Sequence, residues 1–130
     1  MRGVDHEKLD VYQAALDFVG VADGLIEGLP RGRAYSADQI QRAATSIPLN
    51  IAEGAGEYSR RDTARFYRFA FRSATESAAL LDVCRRLKLS DGAVTSQGRE
   101  LLLRIVSMLT GMVRKQGGRS GTGTGTGPKG

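Results

Sequence analysis

The apolar positions of this chain recur at steps of three and four almost throughout, the period of helix rather than strand. Leu9, Tyr12, Leu16 and Val19 form one row, and Val11, Phe18 and Leu25 form another at a seven-residue step. Together they predict a first helix from Asp5 to Glu27 with a wide apolar arc. Gly20 and Gly24 each weaken that helix by roughly 1 kcal/mol relative to alanine, so something must pack closely there. Leu29-Pro30-Arg31-Gly32 ends it.

Ser36 reads as the next N-cap, with Gln39 closing a capping box and Tyr35 and Ile40 in the staple positions around it. The second helix is then expected over Ala37 to Ala55. Pro48 falls inside it, removes one backbone hydrogen bond and predicts a kink. Thr45 and Ser46 lie close enough to help satisfy the freed carbonyls, and Gly54 and Gly56 supply the stop.

Ser59, with Asp62 at the third helical position, opens a third helix expected to reach Lys88. Phe66, Phe69, Ala70, Ser73, Ser77, Leu80, Cys84 and Leu87 predict its core face, and Ala74 and Ala78 a row that admits a close neighbour. Tyr67 and Phe71 then point away from the core, toward a subunit contact or a ligand. After a turn at Ser90-Asp91-Gly92, a fourth helix is expected over Ala93 to Lys115. Leu102, Val106, Leu109 and Val113 make one of its rows; Leu101, Ile105, Met108 and Met112 make another. One stripe suffices for a monomer, so the second predicts burial between subunits.

These helices and short loops predict an all-α, up-down-up-down antiparallel four-helix bundle over residues 1–116. Residues 117–130 are glycine-rich, with a Gly-Thr alternation over 121–127, cannot bury surface to offset ordering entropy, and read as a flexible tail. A chain of 130 residues with 41% apolar and 25% charged positions fits one soluble domain. The lone Cys84 excludes an intramolecular disulfide and fits a reducing cytoplasm. No charged segment followed by an apolar run opens the chain, so no signal peptide is expected. No apolar run is long enough to predict a membrane span.

Charge adds the sharpest functional signal. The net charge is +5, carried by 15 arginines and only 4 lysines. Arginine makes planar, bidentate contacts with phosphate and carboxylate, which suits a nucleic-acid partner; codon bias in a GC-rich genome gives the same excess. Arg61, Arg65, Arg68 and Arg72 fall within about 60° of one another on the third helix and span roughly 16 Å. Arg86 returns to the same line. Such a stripe could face several phosphates, form a salt-bridge belt between subunits, or simply be solvated. Asp62 and Glu76 are acidic neighbours in sequence, and Glu27, Glu53 or Glu57 could come from another helix or subunit.

Asn50 and Glu53 raise the question of general-base chemistry. No nucleophile, histidine or ligand set accompanies them. They read better as a polar cluster that bonds carbonyls freed by Pro48 or pairs with an arginine of the third helix. His6 stands alone near the terminus, and Cys84 lies on the expected core face as a small hydrophobe. Gly54-Ala55-Gly56 lacks the lysine and the preceding strand of a phosphate loop. No catalytic residue, metal site or cofactor is expected.

Ser46-Ile47-Pro48 followed by Asn50-Ile51-Ala52-Glu53-Gly54 resembles the signature of the four-helix-bundle proteins encoded in bacterial 23S rRNA intervening sequences. Ala64-Arg65-Phe66 with Ala70, Ser73 and Glu76 resembles that family's third helix. Leu9-Asp10-Val11-Tyr12-Gln13-Ala14 resembles its opening and Met108-Leu109 its closing helix. Pro48, Asn50, Glu53, Gly54, Phe66 and Glu76 are thus the structural motif. Arg72 stands where the family commonly has glycine, which adds a charge and removes a reason for close helix contact. The resemblance implies a ring-shaped homo-oligomer, with a pentamer favoured. It also implies similarity in fold to the accessory variability determinant of diversity-generating retroelements, which binds nucleic acid and a reverse transcriptase. The function expected is therefore a non-enzymatic, cytoplasmic oligomeric scaffold or adaptor that binds RNA or DNA through Arg61, Arg65, Arg68, Arg72 and Arg86. A protein partner is a further expectation. The alternative is a purely structural or protein-interaction oligomer.

Overall fold

A computed structural model describes the backbone of residues 6–121 and the side chains of residues 7–116. Four helices follow one another: α1 (His6–Glu27), α2 (Ala34–Ala55), α3 (Arg60–Arg86) and α4 (Gly92–Gly121). They pack as α1 with α2, α2 with α3, α3 with α4, and α4 back onto α1. Short connections make neighbours antiparallel, so α1 and α3 run parallel across the bundle diagonal. The expected all-α, up-down four-helix bundle is present, and no strand occurs among the described residues. α4 continues past Lys115 to Gly121, taking in the start of the expected tail. Residues 122–130 of that tail lie outside the described residues.

The core uses one of the two rows expected on α1 fully and the other in part. Val11, Phe18 and Leu25 are buried with Ala14, Ala15 and Ala22, whereas Leu9 and Leu16 remain 46% and 39% exposed. Tyr12 and Val19 of their row are partly buried against the core, and Leu9 and Leu16 turn outward because three alanines, not the large residues, let α1 approach its neighbours. α4 buries Leu102, Ile105, Leu109 and Met112, drawing on both rows. Leu101, Val106, Met108 and Val113 are partly buried beside them.

α3 buries Ala70, Ser77 and Cys84 of the expected face but is rotated so that Phe66, Phe69 and Leu87 leave the core. Thr63, Ala64, Tyr67, Ala70, Ala74, Ser77, Leu81 and Cys84 are its buried residues. Tyr67, expected to face away from the core, is 1% exposed and among the largest wholly buried side chains. Phe66 and Phe69 are half-buried on the flank, and Leu87 is 50% exposed. The reason lies in the glycine of the motif. A Cβ added to Gly54 would sit 2.7 Å from Tyr67 Cε1, so the ring fills the space that Gly54 leaves on α2. Gly54 therefore packs inside the helix, while Gly56 is the residue that ends it.

Two further expectations change. α2 begins at Ala34, before Ser36, behind Arg33, which makes no side-chain capping bond; the capping box does not form, and Tyr35 is exposed. Helical geometry at Ala34 and Tyr35 simply extends the helix one turn back into the loop. At Gly20 and Gly24 nothing lies within 4 Å of an added Cβ, so no close neighbour exists within the subunit. The close glycine is Gly98 on α4, where a Cβ would be 3.0 Å from Leu81 and 3.4 Å from Phe18.

Candidate nucleic-acid interface

α3 starts cleanly, because the Ser59 hydroxyl accepts from the Asp62 N–H at 3.0 Å. From that start, Arg61, Arg65, Arg68 and Arg72 all come out exposed, as does Arg86. At 100° per residue they lie about 180° from the buried Thr63–Ala70–Ala74–Leu81 line, so the stripe is the outer edge of the bundle. A glycine at position 72 would meet no helix within the subunit, which explains why arginine is accommodated there.

One arginine of the stripe is engaged. Arg65 lies 3.8 Å from Asp62, and its guanidinium sits 4.8 Å from the centre of the Phe66 ring and 5.8 Å from that of Phe69. Those rings meet edge to face at 5.7 Å, forming an arginine–aromatic patch on the flank toward α2. Tyr58, fully exposed, precedes it in the α2–α3 turn. Arg61, Arg68, Arg72 and Arg86 have no ion-pair partner among the described residues. Glu76, a candidate partner for the stripe, binds Arg42 of α2 at 3.2 Å instead. Arg86 stands about 21 Å further along α3 than Arg72. It edges a small apolar hollow with Val83 and Leu87.

The motif residues meet at the α2–α3 seam. Asn50 Nδ2 donates to the Ser46 carbonyl at 2.8 Å and to Ser46 Oγ at 2.9 Å. Ser46 Oγ in turn bonds Ser73 Oγ across the seam at 2.7 Å. Thr45 Oγ1 donates to the carbonyls of Gln41 and Arg42. These bonds do not go to the Ala44 carbonyl, the one deprived of its helical donor by Pro48. The polar group thus joins helices rather than repairing the proline break, and α2 runs on through Pro48 to Ala55. Glu53 is exposed and pairs with no arginine of α3 among the described residues. The ion pair that does tie α2 to α3 runs the other way, from Arg42 to Glu76. Sequence reasoning named Ser46, Ser73 and Asn50 as motif or polar positions but could not pair them, because bonds between helices depend on their register.

Cys84 is buried, and burial pushes its thiol above the ordinary value of 9.0, with the charge of Arg33 drawing it part of the way back. No group of acidic, histidine or cysteine residues that could hold a metal ion is found among the described residues. No helix among them is long and apolar enough to cross a membrane.

The fold and site define a small up-down bundle whose second and third helices are joined by a Ser–Asn–Ser seam and which has a basic outer edge. Residues 7–111 match the sequence pattern of the 23S rRNA-intervening sequence protein family, and the chain belongs to that family. No curated protein matches it. Among solved structures it is similar to a protein of unknown function from the S23 ribosomal protein family of Bacteroides thetaiotaomicron. The TM-score is 0.77 at 22% identity, covering 83% of this chain and 98% of that one. That likeness supports the bundle fold expected from the motif.

Proposed function

We propose that this protein is a non-enzymatic, self-assembling helical-bundle adaptor of the cytoplasm that holds RNA or DNA along Arg61, Arg65, Arg68 and Arg72. The observation that carries this reading is the stripe, four exposed guanidiniums opposite the core, of which only Arg65 has a carboxylate beside it. Spacing by three and four residues repeats a positive head about every 5–6 Å, suited to successive phosphates of one strand. Self-assembly is supported by the apolar side chains left outside the core, Leu9, Leu16 and Leu103. The non-enzymatic part is supported by Asn50, whose amide is committed to Ser46, and by Glu53, which is exposed rather than held beside it in a dry site.

A salt titration of binding to single-stranded RNA and duplex DNA tests the reading. Four phosphate contacts give a log–log slope of about −3 to −4. Substituting Arg65 and Arg68 by alanine should weaken binding and reduce the slope while leaving the mass of the assembly unchanged. Undetectable binding at low salt rejects the nucleic-acid role.

The second reading is a purely structural or protein-interaction oligomer. Arg65 favours it, because its Asp62 and phenylalanine neighbours already give it a structural partner. Loss of the oligomer in the same double variant would select it.

A further inference from the structure

A second surface of α3 runs beside the arginine stripe and takes little part in the core. Phe66 and Phe69 fall between Arg65 and Arg72 in height and about 100° round the helix from the stripe, toward α2. Both are only half-buried, so each keeps part of its ring in water. Their edge-to-face contact and the Arg65 guanidinium, 4.8 Å over the Phe66 ring, give the patch one arrangement. Arg65 still has 51% of its side-chain surface exposed, which leaves the outer side of the guanidinium open. Tyr58 stands one residue ahead of the N-cap Ser59, at the end of α3 where the stripe begins, and is fully exposed.

The rim of this patch is acidic where the stripe is basic. Asp62 lies 3.8 Å from Arg65. On α2, Arg42 and Ser46 reach Glu76 and Ser73, so the line they define faces α3. Asn50 and Glu53 continue that line at steps of four and three. The neighbouring Gly54 brings this end of α2 against Phe66, whose Cβ would lie 3.2 Å from a Cβ added to the glycine. The exposed Glu53 carboxylate therefore edges the aromatic patch. Carboxylates repel phosphates but accept hydrogen bonds from the amino groups of bases. A polynucleotide laid on α3 is thereby oriented, with its phosphates along the arginines and its bases toward α2.

We infer, on the nucleic-acid reading proposed above, that the ligand of the stripe is single-stranded, with bases stacked on Tyr58 and on the Arg65–Phe66–Phe69 patch. In a duplex the base faces cover one another and the pairing edges are occupied, so the aromatic flank and Glu53 have nothing to meet. A single strand presents both faces and edges, and aromatic rings and guanidinium planes are the surfaces on which its bases stack. The stripe by itself favours a duplex, which carries the denser charge. Preference for a single strand therefore comes from the flank.

Tyr58 supplies the test, because it is fully exposed and because the chain has no tryptophan. Tyr58→Trp introduces a single tryptophan whose fluorescence should be quenched by a single-stranded oligonucleotide and left unchanged by the duplex of the same sequence. Wild-type protein should bind that single strand more tightly than the duplex at the same salt concentration, and Tyr58→Trp should keep its affinity. Tyr58→Ala should weaken single-strand binding about 5-fold or more with the salt slope unchanged, since it removes a stacked base and no phosphate contact. Duplex binding as tight as single-strand binding, an unquenched tryptophan, or wild-type affinity in Tyr58→Ala overturns the inference while phosphate binding by the stripe stands. Wild-type protein that binds neither form overturns both.

Discussion

Gly54 shows how much of this structure turns on single atoms. Adding one methyl group there places it 2.7 and 2.8 Å from the ring of Tyr67, which is wholly buried and has nowhere to move. Gly54→Ala should therefore cost about 1–3 kcal/mol in urea denaturation despite better helix propensity. Gly56→Ala meets only carbonyl oxygens at 3.7 Å and should change stability far less. Cys84 offers a second test at this scale. Its raised folded-state value means that the folded protein keeps the thiol proton while the unfolded chain releases it. The contribution is fully present below the ordinary value of 9.0 and is lost as pH rises through the higher folded value. Denaturation midpoints should therefore fall above that pH, and Cys84→Ala should lack this component of the fall.

At the scale of elements, helix ends and helix faces diverge in how well sequence specifies them. Ser59 with Asp62 reads as a start and forms its cap, whereas Ser36, with Gln39 and its staple pair, reads as a start and lies inside α2. Ser59→Ala should cost about 1 kcal/mol and Ser36→Ala almost nothing from capping, as thermal melts of the two variants would show. The buried face of α3 differs in part from the expected one for a related reason. Phe66, Phe69, Ser73 and Leu80 continue one row and Tyr67, Ala74 and Leu81 another, both passing Ala70 and both satisfying the helical period. Small residues decided between them, because alanines at 64, 70 and 74 let the neighbouring helices close over Tyr67. The displaced row became the flank on which Arg65 lies against Phe66 and Phe69.

Across the whole molecule, the order α1–α2–α3–α4 around the bundle separates the acidic helix from the basic one by the full diagonal. Long-range attraction between unlike edges should make self-association salt-sensitive, so the assembled fraction should fall as ionic strength rises through the range where the Debye length drops from about 10 Å to 3 Å. Sedimentation velocity across a salt series would measure it, and a mass independent of salt would count against an electrostatic contribution. The helix count, their approximate limits, the family motif and the arginine stripe all followed from local periodicity and spacing, which a sequence carries directly. Tertiary structure alone decided which of two apolar rows each helix buries, that Asn50, Ser46 and Ser73 join across the seam, and that Gly20 and Gly24 face open space. The reason is that period determines a face only up to a rotation. The choice among faces, and the heights at which distant residues meet, depend on how closely neighbouring helices approach.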